Sequence, residues 1–244
     1  MDLVLVVLAA ATGAALAAAL GAFPLLARPS PPGKWLAWAN ALAAGMMIAA
    51  AFALAEPVEG TASGAFGLGA VLGILFIHGT RAFSRTGELS LNRLDEAAPE
   101  YGYEVLLVGS LHSAAEGVAI GAAMASDATF GVFVAVALAL HNVPEGTVLV
   151  AVFRARGVSL LRAAILAVVA NSGQIVMAVM SFAVVAATPA MLPWALGFAA
   201  GALIYLVTVD LLPESYAGAG ATSIGVAVVL AMWAFGLLHG VLGG

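Results

Sequence analysis

The chain has 244 residues, of which 64% are hydrophobic and 9% charged, against about 25% charged in a soluble domain, so water is not its main solvent. A formal charge of -5 with only eight Lys and Arg excludes the basic surface that tracks nucleic acid. The absence of Cys excludes disulfides and thiolate metal sites.

Apolar runs of about 20 residues, enough to cross the hydrocarbon core of a bilayer, occur eight times, near 3–26, 35–56, 63–83, 102–125, 129–153, 160–187, 190–212 and 222–242. The first, Met1 to Leu26, carries Asp2 where a signal peptide would carry Lys or Arg, and its apolar run is longer than a signal core; it reads as a membrane helix. The gap after it holds Arg28, Pro29, Pro31, Pro32, Gly33 and Lys34, which stop a helix and turn the chain. The gap after span two holds Glu56, Pro57, Glu59 and Gly60. Between spans three and four lies the one long polar segment, Ser84 to Tyr101.

All eight basic residues (Arg28, Lys34, Arg81, Arg85, Arg93, Arg154, Arg156 and Arg162) are assigned to the gaps after spans one, three and five. Alternating spans place these gaps on one side, and the positive-inside rule makes that side cytoplasmic. Trp35, Trp38, Tyr101, Tyr103, Trp194 and Tyr216 fall at span ends, where amphipathic rings prefer the interface, whereas Tyr205 and Trp233 fall mid-span and read as packing residues. The outer face carries Asp2, Glu56, Glu59 and Asp127 and no Lys or Arg, a surface that concentrates cations at its mouth. The sequence therefore predicts an all-α integral membrane protein: one eight-helix domain over residues 1–244, both termini extracytoplasmic, multi-pass in the inner or plasma membrane of the cell.

Spans four and five carry one motif twice. His112-Ser113-Ala114-Ala115-Glu116-Gly117 and His141-Asn142-Val143-Pro144-Glu145-Gly146 each set a histidine four residues ahead of a glutamate, and on a helix those positions share a face. Two such faces, on spans running in opposite directions, meet as a four-ligand set for a divalent first-row metal. A carboxylate at mid-bilayer costs several kcal/mol, about 2.5–3.5 on insertion scales for comparable charges, and two of them call for a bound cation or for protons. Pro144 removes the N–H that would bond the Leu140 carbonyl, leaving that carbonyl to line the site, and Gly117 and Gly146 allow another helix close approach. A weaker repeat relates Gly45–Pro57 of span two to Gly201–Pro213 of span seven, giving the inverted-repeat character of secondary transporters.

Other polar residues read differently. His78 and His239 lack an acidic partner at helical spacing and read as interfacial or hydrogen-bonded. Met46, Met47, Met177, Met180 and Met232 read as packing or lipid-facing. Asp210 lies in an apolar stretch of span seven, where pathway function and a structural role weigh equally; Glu56 is a lesser candidate at the outer mouth.

These residues resemble the ZIP (Zrt/Irt-like) family of divalent metal transporters, in its bacterial type. The likeness covers essentially the whole chain: eight spans, a long loop after span three, the paired His-x-x-x-Glu-Gly motif, and Gly201-Ala202-Leu203-Ile204-Tyr205 running to Asp210-Leu211-Leu212-Pro213-Glu214. The resemblance implies a primary transport site of His112, Glu116, His141 and Glu145, with Asn142 supporting an adjoining second metal position, and it is compatible with a homodimer. The chain departs from the pattern at Ser113, where many members carry Asn, and in span six. There it reads Asn171-Ser172-Gly173-Gln174-Ile175-Val176, with Val176 at the place of a bacterial Glu; Gln174, about 200° away around the helix, replaces that Glu only if the helix shifts.

The leading expectation is a transporter, not an enzyme, that carries zinc or another divalent transition metal (iron, manganese, cobalt or cadmium) into the cytoplasm, the metal being cargo and not cofactor. The alternative from another class is an intramembrane zinc hydrolase, which needs a metal-bound water and a route for an organic substrate. A metal-regulated receptor is weaker, since the sequence holds no sizeable soluble domain to carry a signal.

Overall fold

Lipid offers a backbone no hydrogen-bond partner, and all eight apolar runs fold as helices in the computed structural model, which describes residues 2–28, 31–58, 62–84 and 101–242. Among the described residues, seven stretches are long and apolar enough to cross a membrane, including Leu3–Ala27 (span one), Gly33–Ala53 (two), Ala128–Ala155 (five), Leu160–Ala187 (six) and Pro189–Gly218 (seven). Span three is the helix Ser63–Ser84, span four Tyr101–Ser126 and span eight Ala221–Leu242. The predicted polar loop, with the exception of its ends, lies outside the described residues, as do the side chains of Tyr101 and Tyr103.

Spans four and five are joined through Asp127 alone, whose carboxylate caps the second helix by accepting from the Phe130 N–H at 2.8 Å. So short a turn makes them antiparallel neighbours. Counting about 1.5 Å per residue from that turn puts Glu116, His141, His112 and Glu145 about 15–26 Å deep in helices about 40 Å long.

Glycine decides which helices press together. A Cβ on Gly117 would collide with the Gln174 backbone of span six, and one on Gly201 with Ala70 of span three; Gly146 lies against Ala18 of span one, and Gly45 against Val228 of span eight. Among the described residues every such approach falls within one of two sets of helices. Spans one, four, five and six form one set, and spans two, three, seven and eight the other. Between the sets, span two meets span five and span four meets span seven with no glycine at the contact. Both His-Glu motifs lie in the first set.

Among the described residues, irregularities fall inside spans one, six and seven. Span one tightens to a 3-10 turn at Ala18–Ala22, opposite Gly146. Span six breaks at Asn171, whose φ of -93° and ψ of 8° end one helix at Ala170 and start another at Ser172. Span seven widens to a π-turn at Val207–Leu211. Pro144, by contrast, leaves the helix Ala128–Ala155 continuous.

The guanidinium of Arg28 lies 5.2 Å from the centre of the Trp35 ring and the Lys34 ammonium 6.0 Å from that of Trp38, the pairing of basic and aromatic residues expected at a membrane interface. Trp233 is a correction: at 64% exposure it faces outward from the bundle instead of packing inside it. So is Arg81, which the sequence assigns to a gap; the third helix runs to Ser84 and carries Arg81 in its last turn.

Candidate metal centre

Three of the four predicted ligands meet. Nε2 of His141 lies 3.2 Å from Oε1 of Glu116 and 3.3 Å from Oε2 of Glu145, and the three ligand atoms all fall within 4.8 Å of one another. Metal bonds of about 2.1 Å in a tetrahedral array put neighbouring donor atoms about 3.4 Å apart, so the two measured edges suit a single divalent ion between them. Glu116 and His141 are each only 1% exposed, while the Glu145 side chain keeps 23% of its surface.

His112 stands outside this group of three, one helical turn from Glu116. Its Nε2 is buried with no hydrogen-bond partner. Oε2 of Glu116 and Nδ1 of His141 are orphaned in the same way. Buried polar atoms are rarely left so, and these three belong to residues of the two His-Glu motifs.

Two neutral amides are buried on the same set of helices. Asn142, fully buried, donates from Nδ2 to the Ala14 carbonyl at 2.8 Å and to Oε1 of Gln174 at 3.0 Å, tying span five to spans one and six. Gln174 reaches it because span six breaks at Asn171, whose own Nδ2 donates to the Ala167 carbonyl at 3.0 Å. Val176 is 57% exposed and faces away. Gln174, and not Val176, is therefore the span-six side chain turned into the bundle. The Ser113 hydroxyl, also buried, lies 3.2 and 3.3 Å from the carbonyls of Ser110 and Ala170 and is engaged with backbone, not with the three ligands.

The remaining candidates lie elsewhere. Glu56 is exposed beyond the end of span two. Asp210 sits in the π-turn of span seven and forms an ion pair with Arg81 of span three. Beside it, Glu214 accepts from Nδ2 of Asn40 at 3.1 Å. His78 shares a 2.8 Å hydrogen bond with the Tyr205 hydroxyl and His239 stacks on Phe133 at 4.7 Å, so neither histidine belongs to the group of three. Sequence reasoning missed the Arg81–Asp210 and Asn40–Glu214 contacts. A signal for the first was available: an acid inside a span needs a partner, and Arg81 lies three residues before the end of the third helix.

Comparison with known proteins points the same way. The family model described as ZIP zinc transporter matches residues 95–235, which include both His-Glu motifs and the π-turn. A protein of Arabidopsis thaliana named as a putative zinc transporter is 33% identical over 231 residues, 92% of this chain. The zinc transporter GufA of Myxococcus xanthus is 32% identical over 114 residues, 46% of this chain. The chain spans 36% of the first relative's length and 45% of the second's. Neither is named as a hydrolase, and that alternative finds no support in them. A family match over more than half of the residues, centred on the helices that build the metal centre, places this chain in the ZIP zinc transporter family.

Proposed function

We propose that the protein carries divalent transition-metal cations, zinc foremost, across the inner or plasma membrane into the cytoplasm, binding one cation between Glu116, His141 and Glu145 and engaging His112 from the adjoining turn. The observation that supports this reading is two carboxylates facing one imidazole nitrogen at mid-bundle, at spacings a single dication bridges. Moving one unpaired carboxylate out of water costs several kcal/mol, and a dication offsets two at once. The layer of Asn142 and Gln174 orients the ligand helices without adding charge, and it holds span six to the same body. Ligands drawn from spans four and five, inside one glycine-packed set, can be presented to either side together with their cargo.

The proposed orientation puts both termini outside and the basic gaps inside. The exposed acids Glu56 and Asp127 then stand on the side from which the metal enters. In this reading the lipid bilayer is the solvent of the outward-facing apolar side chains, and a homodimer is the assembly in keeping with the family. The test is zinc uptake by purified protein in sealed vesicles, with and without Glu145→Ala. We expect the variant to insert normally, since losing a charge from a span eases insertion, and to lose at least about 10–100-fold in apparent affinity, the loss that changes in the outer shell of a metal site alone produce. Full uptake by the variant at limiting zinc overturns the assignment.

A further inference from the structure

Basic side chains gather at one corner of the bundle. Leu25 of span one, Leu36 of span two, Phe153 of span five and Ala163 of span six belong to one buried cluster, so these four spans meet there. Each has a base within three residues: Arg28, Lys34, Arg154 and Arg162 in the same order. No Lys or Arg follows Arg162 in the sequence, so the turn from span seven to span eight, on the same side in the alternation of spans, contributes none. Positive charge is thus uneven across that end, where an orienting role requires only that it lie on one side. Among the described residues none of the four bases forms an ion pair. Neutral partners hold three of them. The Arg28 guanidinium lies over the Trp35 ring, across the turn between spans one and two, and the Lys34 ammonium over that of Trp38. Arg154 donates from Nη1 to the Val158 carbonyl at 3.0 Å, where the chain reverses through Gly157 with φ 78°, a conformation open to glycine at no steric cost.

Uncompensated bases of this kind attract an anion, and the apolar surface beside them selects its class. Phe23 and Leu26, just ahead of Arg28, and Leu161, next to Arg162, are 64%, 65% and 73% exposed. A soluble phosphate makes no use of such side chains, whereas an acyl chain covers them while its headgroup stays at the level of the basic and aromatic residues. We infer that this corner is a binding site for an anionic phospholipid, with the phosphate among Arg28, Lys34, Arg154 and Arg162 and the acyl chains along Phe23, Leu26 and Leu161. The site asks nothing of the metal centre and does not depend on the transport reading. It draws spans one, five and six from one glycine-packed set and span two from the other, so a lipid seated there lies across the boundary between the sets.

The experiment uses the full chain in phosphatidylcholine vesicles, titrated with phosphatidylglycerol or phosphatidylcholine brominated on the acyl chains, and reads quenching of tryptophan fluorescence. With Trp194→Phe and Trp233→Phe, Trp35 and Trp38 are the tryptophans that remain. Brominated phosphatidylglycerol should then quench at a mole fraction at least about fivefold lower than brominated phosphatidylcholine, the effect of roughly one base at an anionic headgroup. Adding Arg28→Gln, Lys34→Gln and Arg162→Gln together should bring the two lipids to within about twofold of each other. All three side chains are exposed; should the triple variant fail to fold, the single changes decide, each expected to lower the preference at least about twofold. A chain with Trp35→Phe, Trp38→Phe and Trp194→Phe reports from Trp233 on span eight, which has no base, and should show no preference. Equal preference at Trp233 means a diffuse attraction and overturns the site. So does the absence of preference at Trp35 and Trp38, or a preference that survives the triple and the single changes. Loss of the preference on adding inorganic phosphate, but not chloride of equal ionic strength, means a soluble anion in place of a lipid and overturns it too.

Discussion

Substituting alanine for Gly117 tests the link between helix packing and the metal centre. The new Cβ meets the carbonyl and the carbonyl carbon of Gln174 and the amide nitrogen of Ala178. All three are backbone atoms, so no side-chain rotation relieves the contact and spans four and six must part. Overpacking of this kind costs about 1–3 kcal/mol, and with backbone on every side the upper value applies. Alanine returns about 1 kcal/mol through its helix propensity, leaving about 2 kcal/mol of destabilisation, or about 4–8 °C in melting temperature for a chain of this size. Gly225 in span eight supplies the control, because a Cβ there meets nothing within 4 Å. Gly225→Ala should keep the propensity gain and melt at or above the wild-type temperature. Parting spans four and six also carries Gln174 away from Asn142, so zinc affinity should fall in Gly117→Ala and not in Gly225→Ala. Thermal melting of the purified proteins with and without zinc reads both effects. A Gly117→Ala protein that melts with wild type would refute the claim that these two helices touch backbone to backbone.

Asn142→Ala removes the donor shared by the Ala14 carbonyl and Gln174 and should destabilise by about 1–3 kcal/mol, the cost of leaving buried partners unsatisfied, measured as a lower melting temperature even without zinc. His141→Ala takes away the nitrogen that faces both carboxylates and should abolish saturable zinc binding by titration; binding at the wild-type Kd would exclude His141 as a ligand. A cysteine at Ser126 should be labelled from outside intact cells and one at Ser90 should not, and the reverse pattern inverts the proposed orientation. Because metal binding needs neutral imidazoles and ionised carboxylates, protons compete with zinc; lowering the external pH from about 7.5 to about 5.5, through the range in which imidazoles take up a proton, should weaken apparent affinity at fixed free zinc. Affinity that is flat or better in acid would show that these ligands do not limit uptake.

What the sequence made legible follows the strength of each physical signal. The eight helices were readable because hydropathy over about 20 residues is a sum of many like terms, and a membrane allows the backbone few alternatives. Observed ends differ from the predicted ones by a few residues, the largest departure being span seven, which continues to Gly218 because the π-turn absorbs its polar segment and the helix resumes at Leu212. Periodicity made the shared faces of the two His-Glu pairs readable, since i and i+4 lie together on a helix, while the turn through Asp127 alone that sets the two helices side by side, and the meeting of Glu116, His141 and Glu145, come from the structure. The exclusion of His112 from that group was not readable either. It depends on how far span five is shifted and rotated against span four, a matter of packing where Gly131 lies against Met124 that no spacing rule encodes.

Span six shows where a period-based reading meets its boundary. Counting 100° per residue from Ser172 turns Gln174 and Val176 to opposite sides, and a regular helix would leave the choice between them to whatever the rest of the helix buries. The break at Asn171 resets the count, so Gln174 is buried against Asn142 and Val176 faces outward. The cause is local: Asn171 spends its side-chain amide on the Ala167 carbonyl one turn back, and Gly173, with no side chain, lets the restarted helix press onto the Ser110 carbonyl of span four. Asn side chains compete for backbone groups in this way wherever a helix can end, but whether the helix then restarts in line or turned is decided by the neighbour it lands on. The amide that meets Asn142 is therefore a product of the contact between spans four and six, and a bulky residue at Gly173 should turn Gln174 away and leave Asn142 bonded to Ala14 alone.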